Sequence, residues 1–185
     1  MSFINFARYV GKLKKVKRTG WIAAGVKRAE SVAEHSFRTA FLTMILSKKS
    51  GLDQSKLLKM AIVHDLAEAL TGDLVMEKGK KKVRSRKERT KLDEEALKEI
   101  FAEIDNGQEY FTLWQEANER QTKEAKFLKQ VDKLEMLIQA LEYEGETKPG
   151  KLDEFWENTE MHLEDKEFKK FFQELVEERK SILSD

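Results

Sequence analysis

Apolar positions along the chain recur mostly at three- and four-residue intervals, the period of an amphipathic helix. No alternating run is long enough to suggest a sheet, and good helix formers dominate. The pattern predicts helices near 2–17, 31–49, 54–70, 86–104, 108–118, 121–144, 152–158 and 166–182. Gly51 ends the second, Asp53 is placed to cap the third, Gly72 closes it, and Pro149-Gly150 marks a turn. With no repeat and no linker, the expectation is an all-α fold. It is a single compact helical bundle over 1–185, with a basic, mobile loop near 76–86.

Polar residues that interrupt the apolar stripes carry the chemistry. The second predicted helix is apolar around much of its circumference (Val32, Ala33, Phe37, Ala40, Phe41, Leu42, Met44, Ile45, Leu46), which predicts a place at the centre of the domain. At 100° per residue His35 projects beside Leu42 and Leu46, so it faces packed protein or a cavity. On the third, Leu57, Ala61, His64, Asp65 and Glu68 share one arc. Asp132 lies inside the apolar arc of 121–144, where a carboxylate is costly unless paired, hydrogen-bonded or metal-bound. Glu135 and Glu142 fall near the middle of that arc. Either they back the site from behind, the role expected of Glu135, or they pair with Arg or Lys of a neighbouring copy. His162 stands among surface charges and reads as a bystander.

Taken singly, these residues have ordinary explanations, such as a hydrogen-bonded core histidine or an aspartate paired with a buried arginine. Three helices that each present a polar group on a buried face favour a shared purpose. Two imidazoles and two carboxylates form a mixed nitrogen and oxygen set suited to a divalent metal. The pattern points to a metal-dependent hydrolase.

Composition narrows the setting. The 185 residues are 40% hydrophobic and 37% charged, with one proline and no cysteine. Disulfides and thiolate metal sites are excluded, and a cytoplasmic location fits. The first residues become charged too early for a signal peptide, and no apolar run is long enough to span a bilayer. The net charge of +1 hides an asymmetry: residues 1–92 carry 22 Lys and Arg against 8 Asp and Glu, and residues 93–185 carry 13 against 26. The stretches Lys12 to Arg18 and Lys78 to Arg89 read either as solvated faces or as a field that concentrates a phosphate-bearing substrate. Nucleic acid is disfavoured as a partner, because aromatic residues are not interleaved with these charges.

The strings RTGW (18–21), ESVAEHSFR (30–38), HDLAEALTGD (64–73), EAKFLKQVDKLEM (124–136) and YEGETKPGKLDEFW (143–156) resemble the HD-domain metal-dependent phosphohydrolases. Within that family the likeness is to the small group related to 5′-deoxynucleotidases. It covers nearly the whole chain and implies an all-α bundle that acts as a homodimer on a nucleotide. By that resemblance His35, His64, Asp65 and Asp132 bind the catalytic metal, which is Mn²⁺, Co²⁺, Ni²⁺, Fe²⁺, Zn²⁺ or Mg²⁺. Glu68 and Asp73 become catalytic groups, the first orienting substrate and water and the second transferring protons. A competing assignment makes them ligands of a second ion. Arg18 and Trp21 supply the substrate side, a guanidinium for phosphate oxygens and a ring against the sugar, and Asp65, Asp73 and Asp132 also face substrate. The Thr-Gly between Arg18 and Trp21, and Val75-Met76 after the GD step, depart from the family pattern. The implied reaction is hydrolysis of deoxyribonucleoside 5′-monophosphates. The alternatives are a phosphodiesterase or pyrophosphohydrolase acting on other nucleotides, and a non-catalytic nucleotide-binding module. Phe168, Phe171 and Phe172 of the last helix serve either core or interface.

Overall fold

The computed structural model describes residues 1–73 and 85–184. Among them ten α-helices follow in order: α1 (Phe3–Lys12), α2 (Thr19–Ala24), α3 (Val32–Leu46), α4 (Gln54–Val63), α5 (Glu68–Thr71), α6 (Arg86–Phe101), α7 (Gly107–Glu119), α8 (Lys123–Tyr143), α9 (Asp153–Glu160) and α10 (Lys166–Ser184). No strand forms among the described residues; the one sheet-like contact is an isolated bridge between Lys17 and Ser31. Most of the expected loop near 76–86 lies outside the described residues, as do Val75, Met76 and much of the basic stretch Lys78 to Arg89.

The helices start where short polar side chains take up free backbone N–H groups. The Ser31 hydroxyl accepts from the Glu34 N–H at 3.3 Å while the Glu34 carboxylate accepts from the Ser31 N–H at 2.5 Å, a reciprocal cap for α3. Ser85 and Glu88 repeat the device on α6, and Asp53 caps α4 as expected. Leftover apolar faces then pack around α8, which touches α3, α4, α7, α9 and α10. One core joins Val131, Leu137 and Ala140 to Trp21, Leu152, Trp156, Phe168 and Phe172. A second gathers Val63, Leu66, Leu97, Ile100, Phe111 and Trp114. Leu57, Met60, Ala61 and Leu128 link α4 to α8 between them. Phe168 and Phe172 are therefore core residues.

Four expectations are corrected. The helix expected over 2–17 ends at Lys12, and α2 follows unannounced. The helix expected over 54–70 breaks at His64: Leu66 N–H bonds to Val63 and Glu68 N–H to Asp65, both at 3.1 Å, so the turn tightens to a three-residue repeat. The arc drawn at 100° per residue does not extend past that break. Nor is α3 central, because Phe37 is 73% exposed and Phe41, Met44 and Ile45 share its open face. Glu142, finally, is an exposed residue bonded to Arg38 of its own chain.

Candidate metal centre and substrate cavity

Three helices deliver the four expected ligands to one point. His35 comes from α3, Asp132 from α8, and His64 with Asp65 from the tight turn that ends α4. His35 Nε2 lies 3.4 Å from His64 Nε2, 3.3 Å from Asp132 Oδ1 and 3.5 Å from Asp65 Oδ2. His64 Nε2 lies 3.3 Å from the same Asp65 oxygen. Such separations are the edges expected of a coordination shell with bonds of about 2.0–2.2 Å.

Each imidazole is turned by a partner on its far nitrogen. His64 Nδ1 bonds to the Ala61 carbonyl at 2.6 Å, which can only accept, so Nδ1 carries the proton. His35 Nδ1 meets the carboxylate of Glu135 in the same sense. Both Nε2 lone pairs then face each other and two aspartate oxygens, an assembly that calls for positive charge between them. The groups respond accordingly. Burial and Arg18 oppose protonation of His35, but bonds to Asp132 and Glu135 prevail and raise it to about 10. Burial also opposes ionisation of Asp65 and Asp132, yet His64, Arg18 and His35 around the first, and Lys129, His35 and His64 around the second, hold both well below the usual carboxylate range. A divalent cation satisfies the same demand, so the donor set fits a metal.

Behind the cage stands a layer of which the sequence revealed only Glu135. Arg38 donates from Nε to Glu135 at 2.8 Å, from Nη2 to Gln139 at 2.5 Å and from Nη1 to Glu142 at 2.8 Å, so one guanidinium spans two turns of α8. Buried Glu30 accepts from Trp21 Nε1 at 2.9 Å; burial first, then Glu135 beside it, raises its carboxyl. Glu30, His35 and Glu135 lie close together, but these bonds already engage them. Arg38 ends the ESVAEHSFR string, one turn after His35, the only hint available beforehand.

In front lies a cavity of about 400 Å³ lined by Arg18, His64, Asp65, Glu68, Asp73 and Asp132 on the metal side and by Arg86, Arg89, Arg120, Lys129 and Lys133 elsewhere. A smaller cavity of about 190 Å³ shares Arg18, Asp73, Lys133 and Met136 with it and adds Trp21, Phe155 and Asn158. Arg18 reaches Asp65 Oδ2 at 3.4 Å. Burial presses Lys133 down to about 8, aided by Lys129. Lys129 holds Asp132 Oδ2 at 2.6 Å, leaving Oδ1 to His35.

Glu68 is buried, with Oε1 bonded to Arg89 at 2.7 Å and no hydrogen-bond partner for Oε2 among the described residues. Burial, with Asp65 and Asp73 nearby, pushes it well above the usual range. Asp73 Oδ2 accepts from the Thr19 N–H at 2.7 Å, and its carbonyl accepts from the Thr19 hydroxyl at 2.8 Å. Thr19 of RTGW thus ties Asp73 to the start of α2. Among the described residues neither carboxylate joins a cluster of three close ligand atoms. Trp21 is a core residue, 4.4 Å centroid to centroid from Phe155 and showing only an edge to the smaller cavity, so the expected broad contact with a sugar is not available. His162 lines neither cavity.

Known proteins resemble this chain in sequence and fold. The family model described as HD domain matches residues 10–176. The 5′-deoxynucleotidase HDDC2 of Homo sapiens is 38% identical over 186 residues, covering 99% of this chain and 89% of the relative. A solved structure from Pyrococcus horikoshii OT3 superposes with a TM-score of 0.76 at 34% identity, covering 96% of this chain and 99% of the other. A conserved hypothetical protein from Pyrococcus furiosus gives 0.72 at 36% identity, again over 96% and 99%. A divalent metal is the cofactor this ancestry implies. With sequence and fold agreeing over almost the whole length, the chain belongs to the HD domain family.

Proposed function

We propose that the chain, acting as one domain over 1–185, is a metal-dependent phosphomonoesterase that converts deoxyribonucleoside 5′-monophosphates to deoxynucleoside and phosphate. The convergence of buried His35 with His64, Asp65 and Asp132, the last three on the wall of a cavity that also holds Arg18, carries the reading. The 5′-deoxynucleotidase name borne by the human relative supports the substrate class. A divalent ion held by these four residues supplies Lewis-acid activation of water and of the phosphoryl group.

The chain's own groups do the rest. Arg18 binds phosphate oxygens and stabilises charge as it builds on them. Glu68, fixed on one side by Arg89, turns its unengaged Oε2 toward the attacking water. Asp73, anchored through Oδ2 to Thr19, keeps Oδ1 to take the proton given up by the attacking water and hand it to the leaving 5′-oxygen, directly or through a water. A single ion suits this arrangement better than two, because among the described residues neither Glu68 nor Asp73 joins a cluster of three close ligand atoms.

Two copies assemble through the open face of α3, where Phe37, Phe41, Met44 and Ile45 fall within one arc. No helix among the described residues is long and apolar enough to cross a membrane. The absence of cysteine suits the cytoplasm.

The decisive assay is phosphate release from dAMP, dGMP, dCMP, TMP and their ribo counterparts. It uses metal-stripped protein resupplied with Mn²⁺, Co²⁺ or Mg²⁺, beside the Asp65→Asn variant. Metal-dependent release from deoxy substrates, lost in the variant, is the expected result. A nucleotide product without free phosphate would move the reaction to a diester or pyrophosphate bond.

A further inference from the structure

Arg120 ends α7 in the left-handed region, with φ 58° and ψ 33°, and it is the one non-glycine residue of positive φ among the described residues. Glycine or asparagine ordinarily takes that position, since a larger side chain there is strained. Strain of this kind persists where the side chain has work to do. The Arg120 guanidinium lines the larger cavity together with Asp132. Burial and then Arg86 beside it oppose its charge, and Asp132 offsets only part. Arg86 gives one N–H to the Asn118 carbonyl at 3.0 Å. Neither arginine has a carboxylate partner among the described residues, whereas the cavity's acids are engaged: Asp65 with Arg18, Glu68 and Asp93 with Arg89, and Asp132 with Lys129. Arg18 lines both cavities, but Arg86 and Arg120 line only the larger.

Two guanidiniums that line one cavity with their charge only partly offset are a receptor for an oxyanion, which removes their repulsion and accepts from several N–H groups at once. We propose that Arg86 and Arg120 form a second oxyanion subsite, which holds one phosphoryl group besides the one presented to Arg18 and the metal. The inference rests on the proposed function only in taking the first group to be a phosphoester. Its ligand is either free orthophosphate or the next phosphoryl group of a nucleoside 5′-diphosphate. Occupied, the subsite lets either species compete with the monophosphate.

Calorimetry on the Mn²⁺-loaded full chain tests this with orthophosphate, methylenediphosphonate and the α,β-methylene analogue of deoxyadenosine diphosphate, the first two of which carry no ester bond to break. Arg120→Asn keeps a residue at ease in the left-handed region, and Arg86→Gln removes the other charge without touching that turn. Each is expected to weaken diphosphonate binding by about tenfold or more, the loss of a charged hydrogen bond, while the first orthophosphate binds as before. Two orthophosphates per wild-type chain would identify the free ion as the ligand. A single orthophosphate, with much tighter diphosphonate and diphosphate analogue, would identify the linked group. Unchanged diphosphonate affinity in both variants overturns the subsite and leaves the proposed function intact. Failure of the loaded wild-type chain to bind orthophosphate at all overturns both.

Discussion

A histidine whose Nδ1 is gripped by a buried carboxylate cannot turn its Nε2 away from the ligand point, and His35 is in that position through Glu135. Glu135→Gln keeps the shape and removes the charge, so metal affinity should fall by about 10–100-fold with little change in fold. A metal titration followed by turnover at saturating metal measures both, and unchanged values in the two assays would sink the idea. Arg38→Met leaves Glu135 buried beside a methyl group instead of a guanidinium, and chemical denaturation should show a loss of about 1–3 kcal/mol. His35, His64 and Asp132 were legible in the sequence because each breaks an apolar stripe, and the HD-type strings singled out Asp65, Glu68 and Asp73. Arg38, Glu30 and Arg120 were not, since their partners lie across helices, for Arg38 and Glu135 97 residues away. Trp21 misled for a different reason. Its place beside a phosphate-type arginine suggested substrate contact, but an indole beside Phe155 and Tyr143 gains more from burial.

At the scale of elements, helix spacing exposed most of the secondary structure, and the failures share a cause. Leu66, Ala67 and Ala69 keep the apolar pattern running through the turn at His64, with no glycine or proline to mark the break. The RTGW turn hid α2 because a six-residue helix carries too little periodicity to notice. The cap of α3 allows a direct test. Ser31→Ala should cost about 0.5–2 kcal/mol. Bonds from the Ser31 backbone and hydroxyl hold Glu34 below its ordinary value of 4.5. The folded chain therefore prefers the carboxylate, so this contribution is complete above that value and fades as pH falls through the lower folded one. Thermal melts between neutral pH and pH 3 should show a smaller acid loss in Ser31→Ala than in wild type. The turn between α6 and α7 is less forgiving, because a β-carbon on Gly107 would stand 2.1 Å from the Phe101 carbonyl oxygen. Gly107→Ala should lower stability by about 1–3 kcal/mol, measurable in urea.

For the whole molecule, the pairing proposed above rests on the exposed apolar face of α3, and on that proposal Phe41→Glu should give a monomer in sedimentation where the wild type gives a dimer. A monomeric wild type would refute that assembly. The sequence had placed this helix at the centre because it is apolar on most sides, and periodicity cannot say whether the covering surface belongs to the same chain. The cage has a further consequence for the order of events. His35 is fully covered, and among the described residues the other three ligands line the larger cavity. A cation and a nucleotide that both enter by this cavity would share its mouth, and whichever arrives second would sit in front of the first. The expected order is ion before nucleotide, and a chelator added during turnover should strip the ion no faster than product leaves.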